Sequence, residues 1–191
     1  MRTGWRTRGY LPHRDQDHLI QHIMFNLTDA LPRPYDGPDE SERRVRWNEA
    51  ELDAGHGENL LSAIDCAQIV EDCLLRDHGT RYALAAWCIM PNHVHVVVEQ
   101  LPGYDLATTV QAWKSVSAHT INKLRSRRGP LWQREYFDRF MRSATQFDAA
   151  VKYVENNPVA AGLAELPEEW RYSSAWSGRK PIAGEGAGAP G

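Results

Sequence analysis

Residues 87–99 read WCIMPNHVHVVVE, and this stretch decides the fold. Pro91 and Asn92 are turn-forming residues that separate two apolar runs, each with the length of a strand. The pattern predicts a β-hairpin with one strand over residues 82–90 and the other over residues 93–99. We expect the sheet that contains this hairpin to be the rigid platform of the molecule.

The second strand of the hairpin has two chemically different faces. In a strand, residues two apart point to the same side and lie about 7 Å apart. Val94, Val96 and Val98 therefore face a core, whereas His93 and His95 project together from the other side. Two imidazoles that converge from one strand can bind one divalent metal ion, or they can be hydrogen-bonded sheet histidines without a ligand. The spacing alone leaves both interpretations open.

The composition is that of a soluble globular protein. The 191 residues are 42% hydrophobic and 25% charged, which is enough apolar material for one domain with a core. No apolar run approaches the roughly 20 residues of a membrane helix, and the N-terminal stretch lacks the pattern of a secretory signal. We expect a cytoplasmic protein with no membrane segment and with buried, reduced thiols at Cys66, Cys73 and Cys88.

The formal net charge of −3 is unevenly distributed along the chain. Residues 35–78 contain 12 acidic and 4 basic side chains, whereas residues 79–157 contain 10 basic and 6 acidic ones. The total argues against non-specific coating of duplex DNA, but the half that holds the two histidines is basic. This distribution leaves room for a local surface that faces phosphate groups.

The order of the predicted elements is strand, helix, strand, strand, helix, strand, helix. This order predicts an α+β protein: a ferredoxin-like split β-α-β sandwich whose antiparallel sheet has an added C-terminal helix. We expect one domain over residues 1–180, with an acidic loop insertion at 35–58, followed by a disordered tail at 181–191. Outside the hairpin, the predicted elements are a strand over 19–27, a helix over 59–77 capped by Asn59, a helix between Gly103 and the basic run 125–129, a strand over 136–142, and a helix from 144 that Pro158 ends.

Two polar residues lie on one flank of the final predicted helix. At 100° per residue, Tyr153 and Asn157 fall on the same side of its apolar stripe, four residues apart. A phenol and an amide one turn apart suit a nucleophile and an oxygen ligand. The alternative is that Tyr153 packs against the core and that Asn157 caps the helix before Pro158.

Several stretches resemble the motifs of a known family. PNHVHVVVE resembles the His-hydrophobic-His motif of the single-tyrosine relatives of rolling-circle endonucleases. RGYLPH, at residues 8–13, resembles the N-terminal DNA-reading segment of the REP-associated tyrosine transposases, a family within the insertion-sequence transposase-like group. Four further stretches resemble successive blocks of that family in the family's order: WKSVSAHTIN (113–122), GPLWQREYFDRFMR (129–142), YVENNPVAAGL (153–163) and WRYSSA (170–175).

The resemblance implies a function and a set of site residues. It implies that residues 1–180 form a transposase-like catalytic domain in which His93, His95 and Asn157 bind Mg²⁺ or Mn²⁺. It further implies that Tyr153 attacks single-stranded DNA next to a hairpin and forms a 5′-phosphotyrosine link, which a second hydroxyl can reverse. Tyr136 is a rival nucleophile in a strand pattern. The family also implies a nucleoid-associated protein that works as a monomer or homodimer.

A set of basic residues is expected to contact phosphate groups, and Trp5 or Tyr10 could stack on an unpaired base. The run 125–129 can equally be a solvated helix end, where cations favour the C-terminal dipole. Two other functions stay open: a catalytically silent regulator that binds hairpin DNA, and a small-molecule metalloenzyme. The expected phosphate contacts are Arg6, Arg8, Lys114, Arg125, Arg127, Arg128 and Arg134.

Overall fold

The computed structural model describes residues 4–7, 12–15, 19–31 and 41–178. Near the N-terminus, β1 (Gly4–Thr7) and β2 (Pro12–Asp15) form a separate antiparallel pair. The stretch 181–191, which was predicted to be disordered, lies outside the described residues.

The main sheet has four strands, and every neighbouring pair is antiparallel. The strand order is β4-β5-β3-β6, so the hairpin strand with the two histidines lies inside the sheet. This order is that of two interleaved β-α-β units, and it confirms the predicted ferredoxin-like sandwich. The strands are β3 (Ile20–Asn26), β4 (Tyr82–Ile89), β5 (His93–Gln100) and β6 (Phe137–Phe140).

The helices form layers on both sides of this sheet. α2 and α3 pack against each other over the main hydrophobic core, and α4 packs on β4 and β5 over a second, smaller cluster. The helices are α1 (Ser41–Asp53), α2 (Ile64–Leu75), α3 (Leu106–Leu124) and α4 (Ala144–Ala160), and two 3-10 turns cover Leu60–Ser62 and Pro167–Glu169.

The main core lies where the period-two pattern of the sequence predicted it. Val94, Val96 and Val98 are fully buried, and Phe25 from the neighbouring strand packs edge-on against Trp132, with ring centroids 4.9 Å apart. Burying a side chain of this size stabilises the fold by roughly 1.5–3 kcal/mol. The apolar face of the sheet therefore holds the platform rigid.

The acidic segment 35–58 was predicted to be a loop, and that prediction is wrong for residues 41–53, which are helical. The helix α1 occupies Ser41–Asp53, where the chain has neither glycine nor proline and is rich in good helix formers such as glutamate, arginine and alanine. Its apolar residues are too few to form an apolar stripe at helical spacing, and the prediction of helices from the sequence depended on such stripes. Leu52 nevertheless reaches the main core, where it is 1% exposed.

Two predicted helix boundaries are also wrong. α4 continues through Pro158 to Ala160, although Pro158 has no N–H to donate to the carbonyl four residues earlier. Asn59 does not cap α2: its φ of 49° is left-handed, its side-chain amide donates to the Gly55 carbonyl at 2.7 Å, and the residue at the N-cap of α2 is Ala63.

Two findings concern the chemistry of the whole chain. Cys66, Cys73 and Cys88 are free and buried, as predicted. Among the described residues, no helix has the length and apolarity to cross a membrane.

Candidate active site

The sheet register places three histidines together on the face that α4 covers. Directly opposed residues in antiparallel strands point to the same side, and His95 of β5 is opposite Met24 of β3. His22, two residues before Met24, therefore joins His93 and His95 on this face. His93 and His95 are each 1% exposed and His22 is 6% exposed. Sequence reasoning missed His22, although the alternation of its strand already separated it from the core-facing Ile23.

His22 and His95 form a buried pair. The Nε2 of His22 lies 3.0 Å from the Nδ1 of His95, and the two rings are stacked with centroids 5.2 Å apart. Burial, together with the charge of Arg139, lowers the pKa of His22 to about 4. Burial and the two neighbouring histidines lower the pKa of His95 well below its ordinary value. Both rings are therefore neutral at neutral pH, with one donating and the other accepting the hydrogen bond.

The orientation of His93 is set by Asn92. The Nδ1 of His93 lies 2.7 Å from the Oδ1 of Asn92, and the Asn92 amide nitrogen donates to the carbonyls of Leu52 at 3.0 Å and His56 at 3.2 Å. Because the Asn92 oxygen can only accept, the Nδ1 of His93 carries the proton and its Nε2 presents a lone pair. Burial lowers the pKa of His93 to about 3, although the nearby Asn157 amide opposes the shift.

α4 brings Tyr153 and Asn157 to the same place. The Tyr153 ring stands edge-on to His95 and to His22, with ring centroids 5.6 Å and 5.7 Å apart. Asn157, one turn further along, is 2% exposed and interacts with both Tyr153 and His93. Tyr153 is 38% exposed, so a large molecule can reach its ring. The structure thus brings together the four residues that the sequence predicted to form the site.

Two buried atoms in this site have no hydrogen-bond partner among the described residues: the Nε2 of His93 and the Oδ1 of Asn157. Leaving such a group unsatisfied costs about 1–3 kcal/mol, so each needs an explanation. An imidazole nitrogen and an amide oxygen are donors that a divalent cation accepts. In the described part of the chain, no three His, Cys, Asp or Glu side chains stand in a ready-made metal-binding arrangement. Beside the two imidazoles, the Asn157 amide oxygen is a further candidate donor.

α1 adds two carboxylates that sequence reasoning missed. The Glu49 carboxylate lies beside the Tyr153 hydroxyl, and Asp53, one turn later, has its Oδ1 4.0 Å from the Nε2 of His93. Partial burial and the charge of Glu49 raise the pKa of Asp53 to about 6. Burial and the charges of Glu49 and Asp53 raise the pKa of the Tyr153 hydroxyl far above its ordinary value. The signal for this pair was the i, i+4 spacing of two acids, which only becomes informative once the segment is known to be helical.

The predicted phosphate contacts lie in different environments. The side chains of Arg6 and Arg8 lie outside the described residues. The Nζ of Lys114 donates to the carbonyls of Gln133 at 2.7 Å and Arg134 at 2.9 Å. The structure pairs Arg125 with Asp65 and Arg127 with Glu58, whereas Arg128 and Arg134 are exposed.

The rival nucleophile is separate from the histidines. Tyr136 is 9% exposed and lines a surface cavity of about 250 Å³ with Lys114 and Arg134. The Lys114 ammonium lies 6.0 Å from the centre of its ring. Tyr136 therefore serves as a matched comparison for Tyr153.

Comparison with known proteins shows what this chain is similar to. The family model for IS200-like transposases matches residues 66–157, a segment that begins in α2, includes both hairpin histidines and ends at Asn157. This segment of the chain is therefore similar to IS200-like transposases.

The comparison then points to one branch of that class. A curated protein of Haemophilus influenzae that carries the name of a REP-associated tyrosine transposase is 30% identical over 104 residues, which is 49% of this chain and 58% of the relative. A solved structure of such a transposase bound to a REP hairpin has a TM-score of 0.55 at 15% identity, covering 88% of this chain and 81% of that one. These findings confirm the resemblance to the REP-associated tyrosine transposases. This chain spans just over half the length of the curated relative.

Proposed function

We propose that this protein cleaves and rejoins single-stranded DNA beside a hairpin, with Tyr153 as the nucleophile. The observation that carries the proposal is the convergence of Tyr153, His95 and His93 on one face of the sheet. The phenol lies on the rim, where DNA can reach it, and the lone pair of His93 is buried behind it without a partner among the described residues.

The donor set can hold a divalent cation. His93, His95 and Asn157 would hold Mg²⁺ or Mn²⁺ through two imidazole nitrogens and one amide oxygen, and burial keeps the imidazoles neutral so that their lone pairs are available. When bound, such an ion would neutralise the charge that builds on the non-bridging phosphate oxygens during attack. His22 and Asn92 fix the two imidazoles through their other ring nitrogens, as partners of metal ligands commonly do.

The reaction then depends on the proton of Tyr153. In the proposed step the phenol oxygen bonds to phosphorus, the bond from phosphorus to the 3′ oxygen breaks, and the 3′ oxygen leaves and takes up a proton from solvent to become the 3′-hydroxyl. The phenol proton must go elsewhere, and the Glu49 carboxylate lies beside that hydroxyl. Glu49 is therefore the group that takes the proton in this proposal. Because the phosphotyrosine link conserves the bond energy, a second DNA hydroxyl can reverse the step and join strands without ATP.

The choice of hairpin DNA rests on the relatives and on charge. The solved relative is described as bound to a REP hairpin. In this chain, residues 79–157 carry more basic than acidic side chains, and Arg128 and Arg134 of that segment are exposed. Such side chains suit a sugar-phosphate backbone.

The test is the formation of a covalent adduct. Labelled single-stranded hairpin DNA and Mn²⁺ should give a protein-DNA species that survives denaturation, and Tyr153→Phe should abolish it while leaving folding and DNA binding intact. Tyr136→Phe is the matched control and should retain the adduct. An adduct that survives Tyr153→Phe would show that the nucleophile is misassigned. Hairpin binding without any adduct would instead favour a catalytically silent regulator.

A further inference from the structure

The C-terminal end of α1 places a carboxylate in front of the unpartnered lone pair of the site. Asp53, the last residue of α1, has its Oδ1 4.0 Å from the Nε2 of His93. This distance exceeds that of a hydrogen bond. It is close to twice the bond of about 2.0–2.2 Å that a divalent cation makes to a carboxylate oxygen or an imidazole nitrogen. The gap between the two atoms can therefore accommodate one bridging cation.

The Oδ1 of Asp53 and the Nε2 of His93 are both acceptors, which favours a cation between them. The proton of His93 is on Nδ1, which Asn92 holds, so Nε2 offers only a lone pair. An ionised carboxylate likewise offers only lone pairs, and two acceptors that face each other repel. His93 is 1% exposed, and its Nε2 has no partner among the described residues. A cation between Asp53 and His93 turns this repulsion into two bonds.

We infer that Asp53 is a further ligand of the divalent cation, supplied by α1 in addition to the imidazoles and the Asn157 amide. The inference rests on the proposed function, because it takes the cation site as given and adds a donor to it. The other three donors are neutral, so Asp53 supplies the negative charge that hard cations favour. Its side chain is 31% exposed, which leaves room to adjust its position when the ion binds. In this proposal α1 has a functional role, because it supplies a ligand of the metal ion.

The experiment measures Mn²⁺ binding to the full chain without DNA. The electron paramagnetic resonance signal of free Mn²⁺ is followed as protein is added, which reads metal affinity independently of cleavage. Asp53→Asn should weaken Mn²⁺ binding by about 10-fold or more. Glu51→Gln, an equal charge change on the same helix at a residue paired with His56 at 3.2 Å, should leave the affinity within about twofold. Asp53→Ala, which removes both carboxylate oxygens, is the second variant if Asp53→Asn folds poorly.

Two further arms separate the possible failures. His93→Ala should abolish Mn²⁺ binding. If it does, but Asp53→Asn behaves like Glu51→Gln, then Asp53 is not a ligand and the cation site itself stands. If His93→Ala binds Mn²⁺ as tightly as the unaltered protein, the metal site in the proposed function is wrong. A loss in Asp53→Asn that disappears at high salt would show a distant charge effect and would overturn the assignment of a direct ligand.

Discussion

The two faces of β5 are equally buried but chemically opposite. Val94, Val96 and Val98 are 0% exposed beneath α2 and α3, and His93 and His95 are 1% exposed beneath α4. The difference shows that burial alone does not distinguish a core from a site. What distinguishes them is whether the buried atoms are satisfied. Buried apolar atoms need only apolar contacts, whereas buried polar atoms need hydrogen-bond partners or a bound ion.

The energetic roles of the faces follow from this difference. On the valine face, every buried group gains from leaving water. On the histidine face, polar groups lose hydration, and His22 and Asn92 compensate only part of that loss by hydrogen bonding. The Nε2 of His93 and the Oδ1 of Asn157 receive no such compensation from the described residues. We therefore expect one face to contribute stability and the other to contribute activity.

The largest expected effect compares one residue type on the two faces. Phe25 is 0% exposed in the main core, whereas Phe147 of α4 packs half-buried against the smaller cluster. Phe25→Ala should lower the free energy of unfolding by about 3–5 kcal/mol. Phe147→Ala should lower it by roughly 1–2 kcal/mol, because less area is removed from contact. Urea denaturation measures both, with Phe25→Leu as a milder variant. Equal costs would mean that the α4 face is a second full core.

The next effect concerns activity on the histidine face. His95→Gln should reduce Mn²⁺-supported adduct formation by about 100-fold or more, equivalent to about 2.7 kcal/mol. His22→Gln, which alters only the partner of His95, should cost about 10-fold. Initial rates of adduct formation on hairpin DNA give both values. In contrast to Phe25→Ala, neither change should shift the denaturation midpoint strongly. If His22→Gln were as damaging as His95→Gln, His22 would be a ligand rather than a support.

Much of this division was visible in the sequence, for a physical reason. Period-two alternation separates His93 and His95 from the valines between them, and helical spacing puts Tyr153 and Asn157 on one flank of α4. Both signals come from regular geometry within one element. That the two elements meet follows from the strand order β4-β5-β3-β6, which the predicted sandwich already implied.

The two carboxylates that α1 adds to the candidate site could not be predicted from spacing within one element. α1 has almost no apolar stripe, so its sequence lacks the amphipathic signal of a packed helix and does not show which side faces the sheet. Glu49 and Asp53 reach the site through tertiary placement alone. His22 was on the correct face of its strand, but its pairing with His95 depends on the register between β3 and β5. Register across strands is a long-range property that residue types in one strand do not encode.

The smallest expected effect concerns a cation held beside the apolar layers. Lys114 of α3 is partly buried, and this burial lowers its pKa to about 8 even though Glu135 opposes the shift. A lysine whose pKa is lower in the folded state than in the unfolded chain disfavours folding while it is charged. Stability should therefore rise as the pH increases from about 8 towards the ordinary lysine value near 10.4, because only the unfolded chain still binds the proton.

The variant Lys114→Met separates the contribution of Lys114 to the pH dependence of stability from that of other groups that titrate in the same range. Subtracting its free energy of unfolding from that of the unaltered protein, by urea denaturation at several pH values, should give a difference that rises across this window. The carbonyls of Gln133 and Arg134 accept hydrogen bonds from the ammonium and favour its charged form, so the two influences compete. A flat or falling difference would show that these carbonyls outweigh burial, and that Lys114 is a charged anchor between α3 and the segment leading to β6.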